Sequence, residues 1–296
     1  MLTSELPFLN DPEGDGLPPG LPRVIDAHVH IFPDKIFSAV RSWFDAHAWK
    51  IRYQEKSENL ISFLLDHGVS RVVALQYVHK PGIASSLNHY MSKICQGFQG
   101  RVIGMATVFP GEKGGGVRIL EQAFDAGLCG VKLHAHVQCF DMNQADMTPL
   151  YGICARENKL MILHVGQESK SDHDLCDPYE ICRAEKLEKV LKAFPTLKIC
   201  VPHLGFDEIH PYRTLIEKYD NLWLDTAMVL TDYFPKGNRV GLESYRLDRI
   251  MYGSDFPNIP YAWDRELLWL QNSSLSQGDL EQVLHKSAET FFDLTL

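Results

Sequence analysis

Short apolar runs rich in β-branched residues recur along this chain, each separated from the next by a longer, more polar stretch. They lie at Val24–Ile31, Arg71–Val78, Val102–Val108, Gly130–His136, Leu160–Val165, Lys198–His203, Asn221–Thr226 and Arg249–Ser254. Runs that are apolar throughout, rather than alternating, mark strands covered on both faces, as in a parallel sheet between helices. Helical spacing fills several of the gaps. Glu58–Asp66 closes on Gly68 and Val117–Ala126 on Gly127, while Glu185–Phe194 stops before Pro195. Tyr212–Tyr219 and Leu280–Phe292 follow the same spacing. Eight such repeats predict an α/β fold, a (β/α)8 TIM barrel over residues 23–296. A doubly wound open sheet shares the alternation, but eight well-spaced repeats in this length favour a closed barrel.

Residues 1–22, rich in Pro, Gly and acids, are expected to form an extended N-terminal arm. Catalytic groups of such barrels sit at the C-terminal strand ends and the loops beyond them. The long segments Phe32–Lys56, Gly166–Arg183 and Ala227–Asp248 are therefore expected to act as lids or substrate loops.

With 45% hydrophobic and 23% charged residues, the 296-residue chain can bury a large core. Its formal charge of −9 argues against nucleic acid or an anionic membrane as partner. Seven cysteines without a C-x-x-C pair are read as reduced thiols. The N-terminus has no signal-peptide pattern, and no apolar run is long enough for a membrane helix. The expectation is a cytoplasmic protein acting on a small molecule.

The chemistry gathers at the ends of the runs. Val24-Ile25-Asp26-Ala27-His28-Val29-His30 sets two imidazoles two residues apart, hence on one side of a strand. A lone H-x-H is weak evidence, since polar strand residues are common. The fifth run, however, closes on His164, the sixth on His203 and the eighth on Asp255. Burying so many ionisable groups together is costly unless a metal or a tight network compensates. Imidazoles and a carboxylate are ligands for a divalent cation, with zinc the first expectation. On the fourth run, Lys132, His134 and His136 alternate and are expected to face one way, with Gln138 reaching the rim. Tyr77 and His79 end the second run, where Tyr77 is read as a substrate contact. Asp207 and Glu208 could orient His203 from behind or simply begin a helix. His47, His67, His89, His210 and His285 are read as surface residues, and His173 as a lid contact. There is no G-x-S-x-G, H-E-x-x-H or Walker sequence.

Taken together, D-A-H-V-H at 26–30, G-V-K-L-H at 130–134, L-H-V-G at 163–166, P-H-L-G at 202–205 and Y-G-S-D-F-P at 252–257 resemble the amidohydrolase superfamily. More narrowly they resemble its amidohydrolase-2 group, which includes aminocarboxymuconate-semialdehyde decarboxylase-like enzymes. The resemblance implies a barrel of the metal-dependent hydrolase type. It makes His28, His30, His164 and Asp255 ligands of a principal metal, with His203 either ligating a second or polarising the bound water or substrate. Lys132 is open between two roles: a carboxylated bridge between two metals, as in dihydroorotase, or an uncarboxylated contact to an anionic substrate beside one. Ala135 departs from the proline common after this histidine. The leading expectation is hydrolysis of a lactone, ester or amide, with Asp255 as general base and acid and His203 stabilising the oxyanion. The alternative is non-oxidative decarboxylation of an unsaturated or aromatic acid, anchored by a basic residue such as Arg41, Arg52, Arg183, Arg239 or Arg246. A homodimer is expected by analogy alone.

Overall fold

Every apolar run becomes a strand in the computed structural model, which describes residues 9–112, 115–167, 175–231 and 240–294. The strands are β1 (Ile25–His30), β2 (Arg71–Leu75), β3 (Val102–Ala106), β4 (Gly130–His134), β5 (Leu160–His164), β6 (Ile199–Val201), β7 (Leu222–Asp225) and β8 (Ile250–Met251). They pair in parallel and in chain order, each with the next. Closure falls to the segment just after the very short β8. Tyr252 O accepts from Ala27 N at 2.9 Å, Asp255 N donates to His28 O at 2.9 Å, and Phe256 O accepts from His30 N at 2.7 Å. Gly253 permits this approach, because a Cβ there would lie 2.7 Å from His28 Cβ.

The strand pleat divides the core in two. Val72, Ala74, Val131, Leu133, Met161, Leu163, Leu222 and Leu224 face outward onto the helices. Ile25, Ala27, Val73, Leu75, Ile162, Cys200, Trp223 and Met251 fill the interior, closed below by Phe291 and Phe292 near the C-terminus. On β1 the inward set changes phase. Asp26 pairs with Val72 and Val29 with Ala74, so Ala27 and His28 together oppose Val73. This bulge turns His28 and His30 inward, where an unbroken alternation from Ile25 and Ala27 would point them out.

The expected helices appear at Ser57–Asp66, Gly116–Asp125, Ala184–Ala193 and Ile209–Lys218, and a helical stretch runs from Gln277 to Phe291. The segment read as a lid after β1 instead contains a helix, Asp34–His47. Residues 9–22 form neither helix nor strand but lie against the barrel. Asp11 accepts from Ala262 N and Arg265, and Gly14 N donates to Asp264. His173 and Arg239 lie outside the described residues. No described helix is long and apolar enough to cross a membrane.

Candidate metal centre

At the C-terminal mouth of the barrel, side chains from five strand ends form a closed circuit of rings. Tyr77 lies 5.6 Å from His30, His30 5.0 Å from His28, and His28 5.3 Å from His203. His203 lies 4.7 Å from His164, His164 stacks on His134 at 3.8 Å, and His134 returns to Tyr77 at 5.0 Å. Asp255 enters this circuit from the eighth strand end. His28 Nε2 and His30 Nε2 are 3.1 Å apart, with Asp255 Oδ1 at 3.3 and 3.0 Å from them. Ligands about 2.0–2.1 Å from a tetrahedral cation are themselves about 3.3–3.4 Å apart, so this buried triad fits a divalent ion. His164 and His203 flank the triad but are not within its spacing.

Burial also prepares the donors. Desolvation holds the His28 and His164 imidazoles well below their ordinary range and lowers His30 too, which keeps them neutral as ligation requires. Burial alone would raise the Asp255 carboxyl. The hydrogen bond from His30 and the electrostatic pull of the His30, His28 and His203 rings outweigh it and leave the group below the usual value.

Behind the rings lies a layer that sequence reasoning missed. Asp225, the last residue of β7, accepts from His28 Nδ1 through Oδ2 at 2.9 Å. That bond fixes the proton on Nδ1 and turns the Nε2 lone pair toward His30 and Asp255. Its other oxygen accepts from His203 N at 3.1 Å and Ala227 N at 3.2 Å. His203 Nδ1 meets the Ala227 carbonyl at 2.8 Å, which leaves Nε2 for the site. Buried Glu266 in turn accepts from Met228 N and Leu230 N at 3.2 and 3.1 Å, bracing the same loop. Asp26 ties β1 to the closing segment through His28 N, Ser254 N and Ser254 Oγ. A run ending in a buried acid, Leu222-Trp223-Leu224-Asp225, was the available signal.

Several expectations need correction. Strand β4 ends at His134, and a helical turn, Ala135–Gln138, follows it, so His136 does not continue the alternation. His136 still reaches the circuit, 5.6 Å from His134 and 5.7 Å from His164. Gln138 does not extend to the rim: it is buried, accepting from His134 N and donating to Val108 O, and so pins the turn. Glu208 accepts from Ala184 N and Asp207 from the Tyr179 hydroxyl, so the partner seen behind His203 is the Ala227 carbonyl. His67 is half-buried and packs on Phe63 at 4.0 Å. Of the five arginines expected as anchors, the four among the described residues have partners elsewhere: Arg41 with Glu55, Arg52 with Asp11, Arg183 with Tyr179 and Arg246 with Asp220. Lys132 is different. It is fully buried, and among the described residues neither its Nζ nor His203 Nε2 has a hydrogen-bond partner. Burial pushes its amine down to about 8, against the pull of Asp225 and Asp255.

His203 sits in a strained turn. His203, Leu204, Gly205 and Phe206 all have positive φ, at 57°, 50°, 84° and 51°. Non-glycine residues there cost roughly 1–2 kcal/mol each. A Cβ on Gly205 would also lie 2.0 Å from Tyr212 Cδ2. Gly205→Ala is therefore expected to destabilise the fold by roughly 2–5 kcal/mol, combining the left-handed penalty with overpacking. Urea denaturation measures this directly, and a change under about 0.5 kcal/mol, the scale of an ordinary surface substitution, would refute the account.

A family model described as amidohydrolase matches residues 25–294. No curated protein matches. Solved structures of low identity share the fold. An uncharacterized TIM-barrel protein from Bordetella bronchiseptica is 16% identical with a TM-score of 0.71, covering 92% of this chain and 99% of that one. 5-Carboxyvanillate decarboxylase from Novosphingobium aromaticivorans, complexed with manganese and 4-hydroxy-3-methoxy-5-nitrobenzoic acid, is 16% identical with a TM-score of 0.66, covering 98% and 100%. 2,6-Dihydroxybenzoate decarboxylase from Rhizobium is 14% identical with a TM-score of 0.67, covering 92% and 98%.

Proposed function

The chain belongs to the amidohydrolase family, and from that premise we propose that it is a metal-dependent, non-oxidative decarboxylase of a small aromatic or unsaturated acid. The observation that carries this reading is Lys132, a buried amine beside the His28–His30–Asp255 triad that has no hydrogen-bond partner among the described residues. An organic carboxylate satisfies such a group. The two neighbours named as decarboxylases of hydroxylated benzoates, one of them holding manganese, support the same choice. His28, His30 and Asp255, flanked by His164, would hold one divalent cation. When bound, the cation supplies positive charge against the negative charge that develops on the reacting acid.

The chain's own groups divide the remaining work. Lys132 donates to the substrate carboxylate and orients it. Tyr77 and His134, 5.0 Å apart, offer ring surfaces to a flat acid, and His136 borders them. His203 holds a proton at Nε2 and delivers it to the carbon whose bond to the carboxylate breaks as CO2 leaves. Water then restores that proton. Hydrolysis is the second reading, and one observation favours it: an amine lowered to about 8 keeps a neutral fraction able to take up CO2 as a carbamate. A carboxylated Lys132 would hold a second cation and serve attack by water on a lactone, ester or amide.

Metal content by mass spectrometry on protein purified without chelator tests the choice, alongside CO2-release and ester-hydrolysis assays with zinc or manganese restored. About one cation per chain with CO2 release supports decarboxylation. About two, with hydrolysis only, overturns it. Lys132→Met is expected to raise KM for the acid roughly 10–100-fold, the worth of a charge-assisted hydrogen bond, with the cation count unchanged. An unaltered KM would remove Lys132 as the anchor.

A further inference from the structure

Two thiols at the rim of the metal centre share a single acceptor. Cys139 follows the turn Ala135–Gln138, has φ +49°, and is exposed. Cys176 lies beyond β5 and is half-buried. Both Sγ atoms donate to the carbonyl oxygen of His136, each at 3.4 Å, so the sulfurs are separated by no more than twice that distance. Their backbones adjoin as well, because the turn Ala135–Gln138 lies against the short helix Pro178–Ile181. Thiols are weak donors, so each of these two bonds is a weak one. A bond between them needs the sulfurs to close to about 2.05 Å.

We propose that Cys139 and Cys176 are a dithiol that closes to a disulfide in the presence of a peroxide, tying the segment after β5 to the turn after β4. The exposed Cys139 sulfur attacks one peroxide oxygen, the O–O bond breaks, and a sulfenic acid forms with release of water. Cys176 sulfur then attacks the Cys139 sulfur, its S–O bond breaks, and a second water leaves. Two thiols are oxidised by two electrons and hydrogen peroxide is reduced to two waters. The carbonyl freed by this closure belongs to His136, whose ring lies 5.6 Å from His134 and 5.7 Å from His164. Oxidation therefore acts on the wall of the site without using a metal ligand. Cys95 and Cys129 form an internal control. They also lie close together under β3, but burial pushes their thiols up to about 11 and about 12, which withholds the thiolate.

The full chain is treated with hydrogen peroxide near one equivalent, alkylated under denaturing conditions and digested without reductant. The expected product is a peptide joined through Cys139 and Cys176. Alkylatable thiols should fall by two from the seven of the chain, and dithiothreitol should restore them. Cys139→Ser and Cys176→Ser should each abolish the joined peptide, and Cys95→Ala should not. Seven thiols still alkylatable, a sulfinic acid on Cys139 with Cys176 still free to react, or a peptide joined through other cysteines would each overturn the proposal. The measurement reads the bond itself, so it stands whether or not the chain decarboxylates its substrate.

Discussion

Asp255→Asn is expected to lower kcat roughly 10²–10⁴-fold, the scale of a lost acid–base or charge-stabilising group, while the barrel stays folded. The backbone tolerates the change: Asp255 has φ +63°, a region that asparagine enters as readily as aspartate. Its main-chain N–H would still donate to His28 O, so the closing segment keeps its hold on β1. What disappears is the negative charge beside two imidazoles that are themselves neutral. A dication held by two neutral nitrogens and an amide oxygen is bound more weakly and neutralised less. The checks are kcat with saturating zinc or manganese, cation content per chain, and the thermal midpoint of the metal-free protein. Near-normal turnover would remove Asp255 from the chemistry. A collapse of the midpoint would instead make it a structural residue.

The barrel was legible because its strands are buried on both faces, as the run Leu160-Met161-Ile162-Leu163 is along its whole length. Helices were read less completely. Asp34–His47 keeps helical spacing but buries only Phe37, so little of its apolar face reaches the core. The site was visible where an apolar run stops on an ionisable residue, as at His164 and Asp255. It was invisible where the determinant is register or main chain. Nothing in D-A-H-V-H announces the bulge at Ala27 and His28, although without it the two imidazoles would face the helices. Nor does a sequence disclose that the Ala227 carbonyl, not an acid, stands behind His203. Gln138 shows the same limit. Its position predicted a rim contact, whereas its side chain turns back to end β4 and bring His136 around on a helical turn.

Asp225→Asn should separate ligand orientation from ligand identity, with cation affinity expected to fall about 10–100-fold, as for other groups that orient a metal-bound histidine. The variant retains an oxygen for the N–H groups of His203 and Ala227, which Oδ1 accepts at 3.1 and 3.2 Å. The other position becomes an amide nitrogen facing His28 Nδ1, where Oδ2 now accepts at 2.9 Å. Two donors cannot share that contact, so His28 must move its proton to Nε2, the atom turned toward His30 and Asp255. A protonated Nε2 has no lone pair to give. Every ligand is still present, and yet one of them now presents a hydrogen to the centre. Titration with zinc under a competing chelator measures the affinity, and ¹⁵N spectra of the metal-free protein report which His28 nitrogen carries the proton. A His28 tautomer unchanged from the native protein would break the argument at its first step. A shifted tautomer with native affinity would place the cation away from His28 altogether.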